Sequence, residues 1–474
     1  MQVEESAHLY EVVAAELARH IEGGLYRPGE RLPGVRAFGK RRGVSIATAV
    51  AAYQRLEDQG YLEARPRSGY YVRGRLCRPL SEKLPTSLPR QPRVISGQDM
   101  AMALIKAAND PAVVQLGAAV PDASFLPMEA LSRAMTRTLR LQRVRAASYM
   151  MAPGAEELRR QIARRLVESG GKVSADDIVI TTGCQESLAL ALRAVTQPGD
   201  IVAVESPTFY GLLHVMDALG LKVLEIPSHP REGMALETLE QALRRWPIKA
   251  CVAIPNVSNP LGFCMSDERK RALIALLEQH RVTLIEDEVY GDLSFQMQRP
   301  ASCLSLAPKG DIIQCGSFSK TLSPGLRVGW AASSRHRDRI EYLKYVTSIA
   351  SSTTPQLVVA DFLESGRYER YLRTVRGRYT AAVARMSDAL LRHFPDGTRL
   401  SQPQGGFLLW VELPADVDAF ALAQRALKKG VSIAPGPIFS ASGRYGNFIR
   451  VSCARQWDAR LERALVTLAN LLSG

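Results

Sequence analysis

The stretch GSFSKTLSPGLRVGW, residues 316–330, decides how the whole chain is read. It follows a short apolar run, Asp311-Ile312-Ile313-Gln314-Cys315, which predicts a strand leading into it. Small hydroxylated residues flank one lysine, Lys320, and Arg327 lies seven positions further on. A lysine in a partly buried site sheds its proton, attacks an aldehyde and keeps it as an imine. Ser317, Ser319 and Arg327 suit a phosphate monoester. Imine and phosphate grip together are what pyridoxal 5′-phosphate requires. Taken alone, the same residues also fit a surface lysine in a serine-rich turn, so the surroundings must decide.

The chain has 474 residues, enough for two or three domains and a large core. Its hydrophobic fraction, 46%, is that of a globular protein, and no apolar run is long enough to span a bilayer. Seven cysteines are scattered without a CxxC pair, which argues against a disulfide framework or a zinc site and for a reducing cytoplasm. The N-terminus carries no signal-peptide pattern. A net charge of +14 fits a nucleic-acid partner and equally a solvated basic surface.

Residues 1–74 read as one unit. Leu9, Val12, Val13, Leu17 and Ile21 recur at helical spacing, and Gly23-Gly24 and Pro28-Gly29 end that helix. A second short helix follows Leu32-Pro33, and Gly43 marks a tight turn. Ser45 is placed to cap a third helix carrying Ala49, Ala52, Tyr53 and Leu56. Two short strands, Tyr61 to Ala64 and Tyr70 to Val72, flank the turn Arg65-Pro66-Arg67-Ser68-Gly69. Three helices and a two-stranded wing make the winged helix-turn-helix plan; a small protein-interaction module is the alternative. The run YRPGERLPGVRAFGKRRGVSIATAVAAYQRLEDQGYLEARPRSGYYV, residues 26–72, resembles the GntR family of bacterial regulators. The resemblance implies double-stranded operator DNA as partner. It puts Arg36 on DNA, Ser45 and Thr48 at the start of the recognition helix, and Arg67, Ser68 and Gly69 at the wing tip. Gly34 and Ile46 depart from the family, which often has Ser and Arg there, and the loss of that Arg removes a DNA contact. Residues 75–111, rich in Pro and Arg, read as a semi-extended linker; an ordered loop packed on the second domain is the alternative.

From residue 112 to 474 short apolar strands alternate with amphipathic helices, which predicts an α/β domain with a mostly parallel sheet. Strands are expected at 178–181, 201–204, 222–226, 250–254 and 283–286, and helices at 156–167, 185–195 and 268–280. In such sheets the chemistry gathers at the carboxyl ends of strands, and the polar candidates fall there. Gly183, Cys184 and Gln185 open a helix after one strand, where free N–H groups favour a phosphate. Phe209 follows the next and could lie flat on a pyridine ring. Asn259, in an Asn-Pro turn, could donate to a phenolate oxygen. Asp287 could keep a pyridine nitrogen protonated, and Tyr290 could reach the ring oxygen. Three acids in a row, Glu286 to Glu288, could instead ligate a metal, though no histidine is near.

The ordered run NPLG, DEVY, SFSKTLSPGLRVGW resembles the type I aminotransferase fold of pyridoxal phosphate enzymes, over residues 112–474. That resemblance implies Lys320 as the internal aldimine lysine and Asp287 as partner of the pyridinium. It puts Asn259 and Tyr290 on the 3′ oxygen, Phe209 on the ring, and Gly183, Cys184, Gln185, Ser317, Ser319 and Arg327 on the phosphate. Tyr149 would reach the phosphate of the other subunit of a homodimer. Cys184 and Phe209 stand where Ser and Tyr are commoner. The tail from about residue 385 looks like the small α+β domain, joined by part of the N-terminal segment, with Arg450 gripping a carboxylate. A surface salt bridge is the plainer role for Arg450. The basic run Arg133, Arg137, Arg140, Arg143 and Arg145 reads as a solvated face or a second DNA-facing surface. A GntR-type reader fused to an aminotransferase-like body resembles the MocR subfamily of transcriptional regulators. The expectation is a cytoplasmic homodimer, without metal or membrane, that binds operator DNA and senses an amine, an amino acid or pyridoxal phosphate itself. The alternative is a working aminotransferase with a DNA-binding head.

Overall fold

The computed structural model describes residues 3–22, 25–26, 29–58, 61–65, 68–72, 78–80, 91–93, 102, 106, 110–296 and 298–473. At the N-terminal end, helices α1 (Val3–Glu22), α2 (Val35–Arg42) and α3 (Ile46–Asp58) precede strands β1 (Leu62–Arg65) and β2 (Gly69–Val72). The strands pair antiparallel with Leu62 opposite Val72. Phe38, Ala49, Ala52, Tyr53, Leu56, Leu62 and Val72 pack on Val13, Ala14, Leu17, Ala18 and Ile21. The buried stripe of α1 is therefore rotated from the expected one: Leu9 and Val12 are exposed, and Ala14 and Ala18 take their place. Small residues let α1 and α3 approach closely, a preference that hydrophobicity alone does not reveal.

The body is built on an eight-stranded sheet. Its strands are β5 (Ile178–Thr181), β6 (Ile201–Ser206), β7 (Lys222–His229), β8 (Gly233–Met234), β9 (Ile248–Ala253), β10 (Thr283–Asp287), β11 (Ile312–Ser317) and β12 (Gly329–Ala332). They lie in the order β5-β12-β11-β10-β9-β6-β7-β8. The inner pairs are parallel, while β12 runs antiparallel to both its neighbours. Both faces are covered. Val179, Val202, Val204, Val252, Ile285 and Ile313 fill one core, and Ile180, Ala203, Cys251, Leu284 and Ile312 the other. That is why these strands read as predominantly apolar runs, with polar residues concentrated towards their ends. Strand β11 reaches Ser317, two residues past the expected end, so the hydroxyl of Ser317 sits on the sheet itself.

A helix of 27 residues, Arg367–His393, leads into the C-terminal subdomain and runs straight through residue 385. There a five-stranded sheet has the order β16 (Ala434–Pro435), β17 (Phe448–Ser452), β14 (Leu408–Glu412), β13 (Arg399–Leu400), β3 (Arg78–Pro79). Leu409, Val411, Ile449 and Val451 pack with Leu422 and Leu465 of the covering helices. A further pair, β4 (Val114–Gln115) with β15 (Val431–Ser432), ties residues 114–115 to this subdomain.

Candidate functional site

The ends of β5, β6, β10 and β11 bring most of the sequence candidates together. Gly183 precedes the helix Cys184–Val195 with φ +81, and no side chain caps that helix start. Its free N–H groups and dipole therefore remain for an anion. Arg327, held in a left-handed conformation (φ +53), folds over this turn. Its Nη2 donates to Thr182 O at 2.9 Å and its Nη1 to Ser319 Oγ at 3.3 Å. A Cβ on Gly183 would lie 2.5 Å from Arg327 Nη2, and one on Gly329 would lie 2.5 Å from the Gly183 carbonyl carbon. Only glycines allow this closeness. Ser317 Oγ donates to Ser319 Oγ (2.8 Å) and receives the Ser319 N–H (3.0 Å). Two hydroxyls, one guanidinium and a bare helix start thus form a cup whose donors suit a phosphate.

Lys320 projects beside this cup. Its Nζ donates to the carbonyl of Ala119 at 2.6 Å. Burial, together with the Arg450 and Arg327 guanidinium groups, pushes its pKa down to about 8. A larger neutral fraction at neutral pH follows, which is the nucleophilic form. Asp287, 6% exposed at the end of β10, has its pKa pushed up to about 6 by burial, against the Val289 N–H that its Oδ1 accepts at 3.3 Å. A carboxylate in so dry a place gains by facing a cationic nitrogen. Cys184 Sγ lies 3.6 Å from Asp287 Oδ1. Its side chain thus turns to the carboxylate, and only its backbone is left for the phosphate. Tyr290 Oη is buried without a hydrogen-bond partner, and burial raises its pKa.

Arg450 lies on β17 opposite Trp410 and is 0% exposed. Nη1 donates to Asn259 Oδ1 at 3.0 Å and Nη2 to Gly117 O at 2.7 Å, while Nε has no partner. The guanidinium carbon stands 5.5 Å from the ring centre of Tyr210 and 4.9 Å from that of Phe439. Among the described residues it has no acidic partner. Sequence reading does not single out Tyr210, Phe439, Gly117 or Ala119. Two of them contribute only carbonyls, which leave no sequence signal.

The other candidates are placed as follows. Phe209 packs its ring over Gly211, where a Cβ would meet it at 2.4 Å. Gln185 turns its amide to Gly211 O at 3.1 Å. Tyr149 is 78% exposed. The acids of β10 diverge: Glu286 accepts from the N–H groups of Cys303 and Leu304, and Glu288 accepts from Arg299 and Asn256. Arg299 in turn reaches Asp292, and burial there is outweighed by Arg165 and Arg299, which hold that carboxyl well below its ordinary range. Of the basic run, Arg133, Arg137 and Arg145 are spent in ion pairs with Glu129, Asp361 and Glu157. In the reader, Thr48 N–H donates to Ser45 Oγ at 3.0 Å, so Ser45 does cap α3. Arg36 is exposed on α2, Ser68 bonds Tyr71 Oη at 2.7 Å, and Gly69 has φ +113. Arg67 lies outside the described residues.

These residues fit pyridoxal phosphate on three independent points: the cradle that a Cβ would fill at Gly183, the orphaned Tyr290 hydroxyl, and a buried carboxylate beside a lysine of lowered pKa. The family profile of class I and II aminotransferases matches residues 112–468, and that of the gntR family of bacterial regulatory proteins matches residues 9–72. An uncharacterised HTH-type transcriptional regulator of Escherichia coli, YjiR, is 41% identical over 456 residues, 96% of this chain and 97% of its own. The 2-aminoadipate transaminase of Thermus thermophilus is 31% identical over 357 residues, 74% of this chain and 88% of its own. Among solved structures, Pyrococcus horikoshii kynurenine aminotransferase superposes with a TM-score of 0.74 at 27% identity, covering 80% of this chain and 95% of that one. LysN of Thermus thermophilus, complexed with N-(5′-phosphopyridoxyl)-L-leucine, gives 0.73 at 27% identity with the same coverage.

Proposed function

This chain belongs to the class I and II aminotransferase family and bears a GntR-family unit at its N-terminus, and from that we propose a DNA-binding transcriptional regulator of MocR type. Its body binds pyridoxal phosphate and senses an amine or amino acid there. The relatives that match almost end to end are named as regulators, which supports this reading over a plain enzyme.

One observation carries the sensing role. Arg450 is a fully buried guanidinium that, among the described residues, has an amide oxygen and a carbonyl as hydrogen-bond partners and two aromatic rings beside it, but no carboxylate. An uncompensated buried charge is costly, and a carboxylate held in two parallel hydrogen bonds removes that cost. Such a carboxylate would arrive with an amino group directed towards Lys320. Bound pyridoxal phosphate supplies an aldehyde and an electron-withdrawing ring. The chain's own residues do the rest. Arg327, Ser317, Ser319 and the Gly183 turn would hold the phosphate, Asp287 would pair with the ring nitrogen, and Tyr290 and Asn259 would hold the ring oxygen. Lys320 takes and gives up a proton at Nζ near neutral pH. A ligand that fits one arrangement of the body better than another shifts the readers by that difference in affinity.

The proposal includes a homodimer acting in the cytoplasm. Leu141, Val144, Tyr149 and Met151 are exposed on one short stretch, as an isologous interface would require. Turnover is a second reading, favoured by the intact set Lys320, Asp287 and Arg450. The deciding experiment is footprinting on DNA upstream of the protein's own gene, with and without bound cofactor and a panel of amino acids. A cofactor-loaded chain that protects no upstream sequence but produces keto acids with 2-oxoglutarate would replace the regulator by the enzyme.

A further inference from the structure

The segment that follows the reader is fastened to both halves of the body. Strand β3, Arg78–Pro79, runs parallel to β13 with Arg78 opposite Arg399 and Pro79 opposite Leu400. It is thereby an edge of the sheet that carries Arg450, three strands away from it. Leu80, next in sequence, is 7% exposed in the main core. At Arg93 the chain is fastened to the other sheet. Arg93 N–H donates to Val223 O at 3.0 Å, and Val223 N–H donates to Arg93 O at 2.9 Å. Val223 belongs to β7 of the eight-stranded sheet. The chain is joined to the C-terminal subdomain again through β4. Leu116 N–H donates to Ser432 O at 2.9 Å, and Ser452 N–H donates to Leu116 O at 2.7 Å. Close by in sequence, Gly117 and Ala119 give their carbonyls to Arg450 and Lys320.

We propose that this double fastening is the output device of the sensor: one anchor at residues 78–80 and the other at Arg93 sit on different sheets, so that a shift of one sheet against the other is delivered to the reader. It rests on the sensing role argued above. The reader ends at Val72 and β3 begins at Arg78, so only a short piece of sequence separates the reader from the subdomain bearing Arg450. Arg450 is also a junction, because it reaches from β17 to Asn259 on the large domain. Cofactor loading would engage Lys320 Nζ, which now donates to the Ala119 carbonyl, and a ligand carboxylate would share the Arg450 guanidinium with Asn259 and Gly117 through its free Nε–H. Whatever movement follows carries β3 with the C-terminal sheet, while Arg93 stays with β7. An edge strand is well suited to such a role, because backbone pairing holds it firmly and one bond can be removed without disturbing a core.

The test uses the full-length chain, with pyridoxal phosphate as probe. Loading is read from the visible absorbance band, and hydrogen exchange is followed in unloaded and loaded protein on a duplex taken from upstream of the gene. The expected result is an exchange rate at the amides of Arg78, Leu80 and Val223 that differs at least threefold between the two states. Arg93→Pro removes the donor to Val223 O at an exposed site. It is expected to keep the band, and to keep DNA affinity of the unloaded chain within twofold, yet to lose most of the change in affinity that loading produces. A Gly-Ser-Gly-Ser insertion between residues 86 and 87 is expected to do the same, and guards against a folding defect peculiar to proline. Loaded protein without a difference at these amides, or variants that keep the full loading response, would overturn the tether and leave the cofactor site standing. Absence of the band in the wild-type chain would instead overturn the sensing role beneath it.

Discussion

The two places proposed to hold phosphate, the cup at Gly183 and the N-terminal reader, are built in opposite ways. The cup at Gly183 concentrates a few groups by close packing: Arg327 lies against a glycine, two serine hydroxyls bond each other, and a helix start is left bare. The reader is open. Arg36, Lys40, Arg41 and Ser45 are exposed. Nor is the reader especially basic: residues 1–72 contain ten Lys and Arg against nine Asp and Glu, whereas residues 112–474 contain 44 against 35. The lesson is that bulk charge is a poor guide to where phosphate binds. In the cup, geometry and dryness dominate, so affinity resists salt. At the reader, counterion release dominates and affinity follows salt steeply.

The sharpest test of this contrast removes the lysine. Lys320→Ala is expected to abolish the visible, borohydride-sensitive absorbance completely while the reader's helical signal persists, as checked by spectroscopy and circular dichroism. Salt should then divide the two sites. Raising it from roughly 50 to 200 mM is expected to weaken DNA binding by about 10³-fold for a dimer with six phosphate contacts, with cofactor occupancy changing by less than about twofold. A titration of both on the same sample decides. Arg450→Lys keeps a charge but loses the planar fork. Amino-acid affinity, read from the shift of the absorbance band, is expected to drop by about 1.5–3 kcal/mol, with cofactor binding little altered.

The pH response should also be confined to the body. Lys320 has a depressed pKa, so the neutral amine grows as pH rises and saturates above about 8. The rate of cofactor uptake is expected to climb about tenfold per pH unit below that point and to level off beyond it. The same depression makes the folded chain bind fewer protons than the unfolded chain between about 8 and the ordinary lysine value, so this group adds stability as pH rises through that window. Asp287 has the opposite bearing. Its raised pKa costs stability as pH rises from its ordinary value through about 6. The smallest effect is expected from Ser45→Ala, which removes the cap of α3 and costs about 1 kcal/mol, read as a lower melting temperature of the reader.

The parts legible in the sequence share a cause. Strands buried on both faces leave apolar runs, and residues 178–181 and 201–204 are such runs. Their ends announce the cofactor residues, because side chains there must be polar, glycine or lysine. Illegible parts rely on backbone or on rotation. Gly117 and Ala119 act through carbonyls. Arg78–Pro79 is a two-residue strand with a proline, too short for any period and containing the residue that sheets usually exclude. The stripe of α1 is displaced from its expected place because Ala14 and Ala18 join Val13, Leu17 and Ile21 in the core while Leu9 and Val12 stay exposed. Cys184 falls in the turn where its sequence position puts it, but nothing in the sequence says that its sulfur faces Asp287.

The use of carbonyls at Gly117 and Ala119 has an evolutionary consequence. A main-chain oxygen is the same whatever side chain hangs beside it, so the grip on Arg450 and Lys320 survives replacement of Ala118 or Val120. Those two positions are therefore free to diversify without rebuilding the main-chain contacts that serve Arg450 and Lys320.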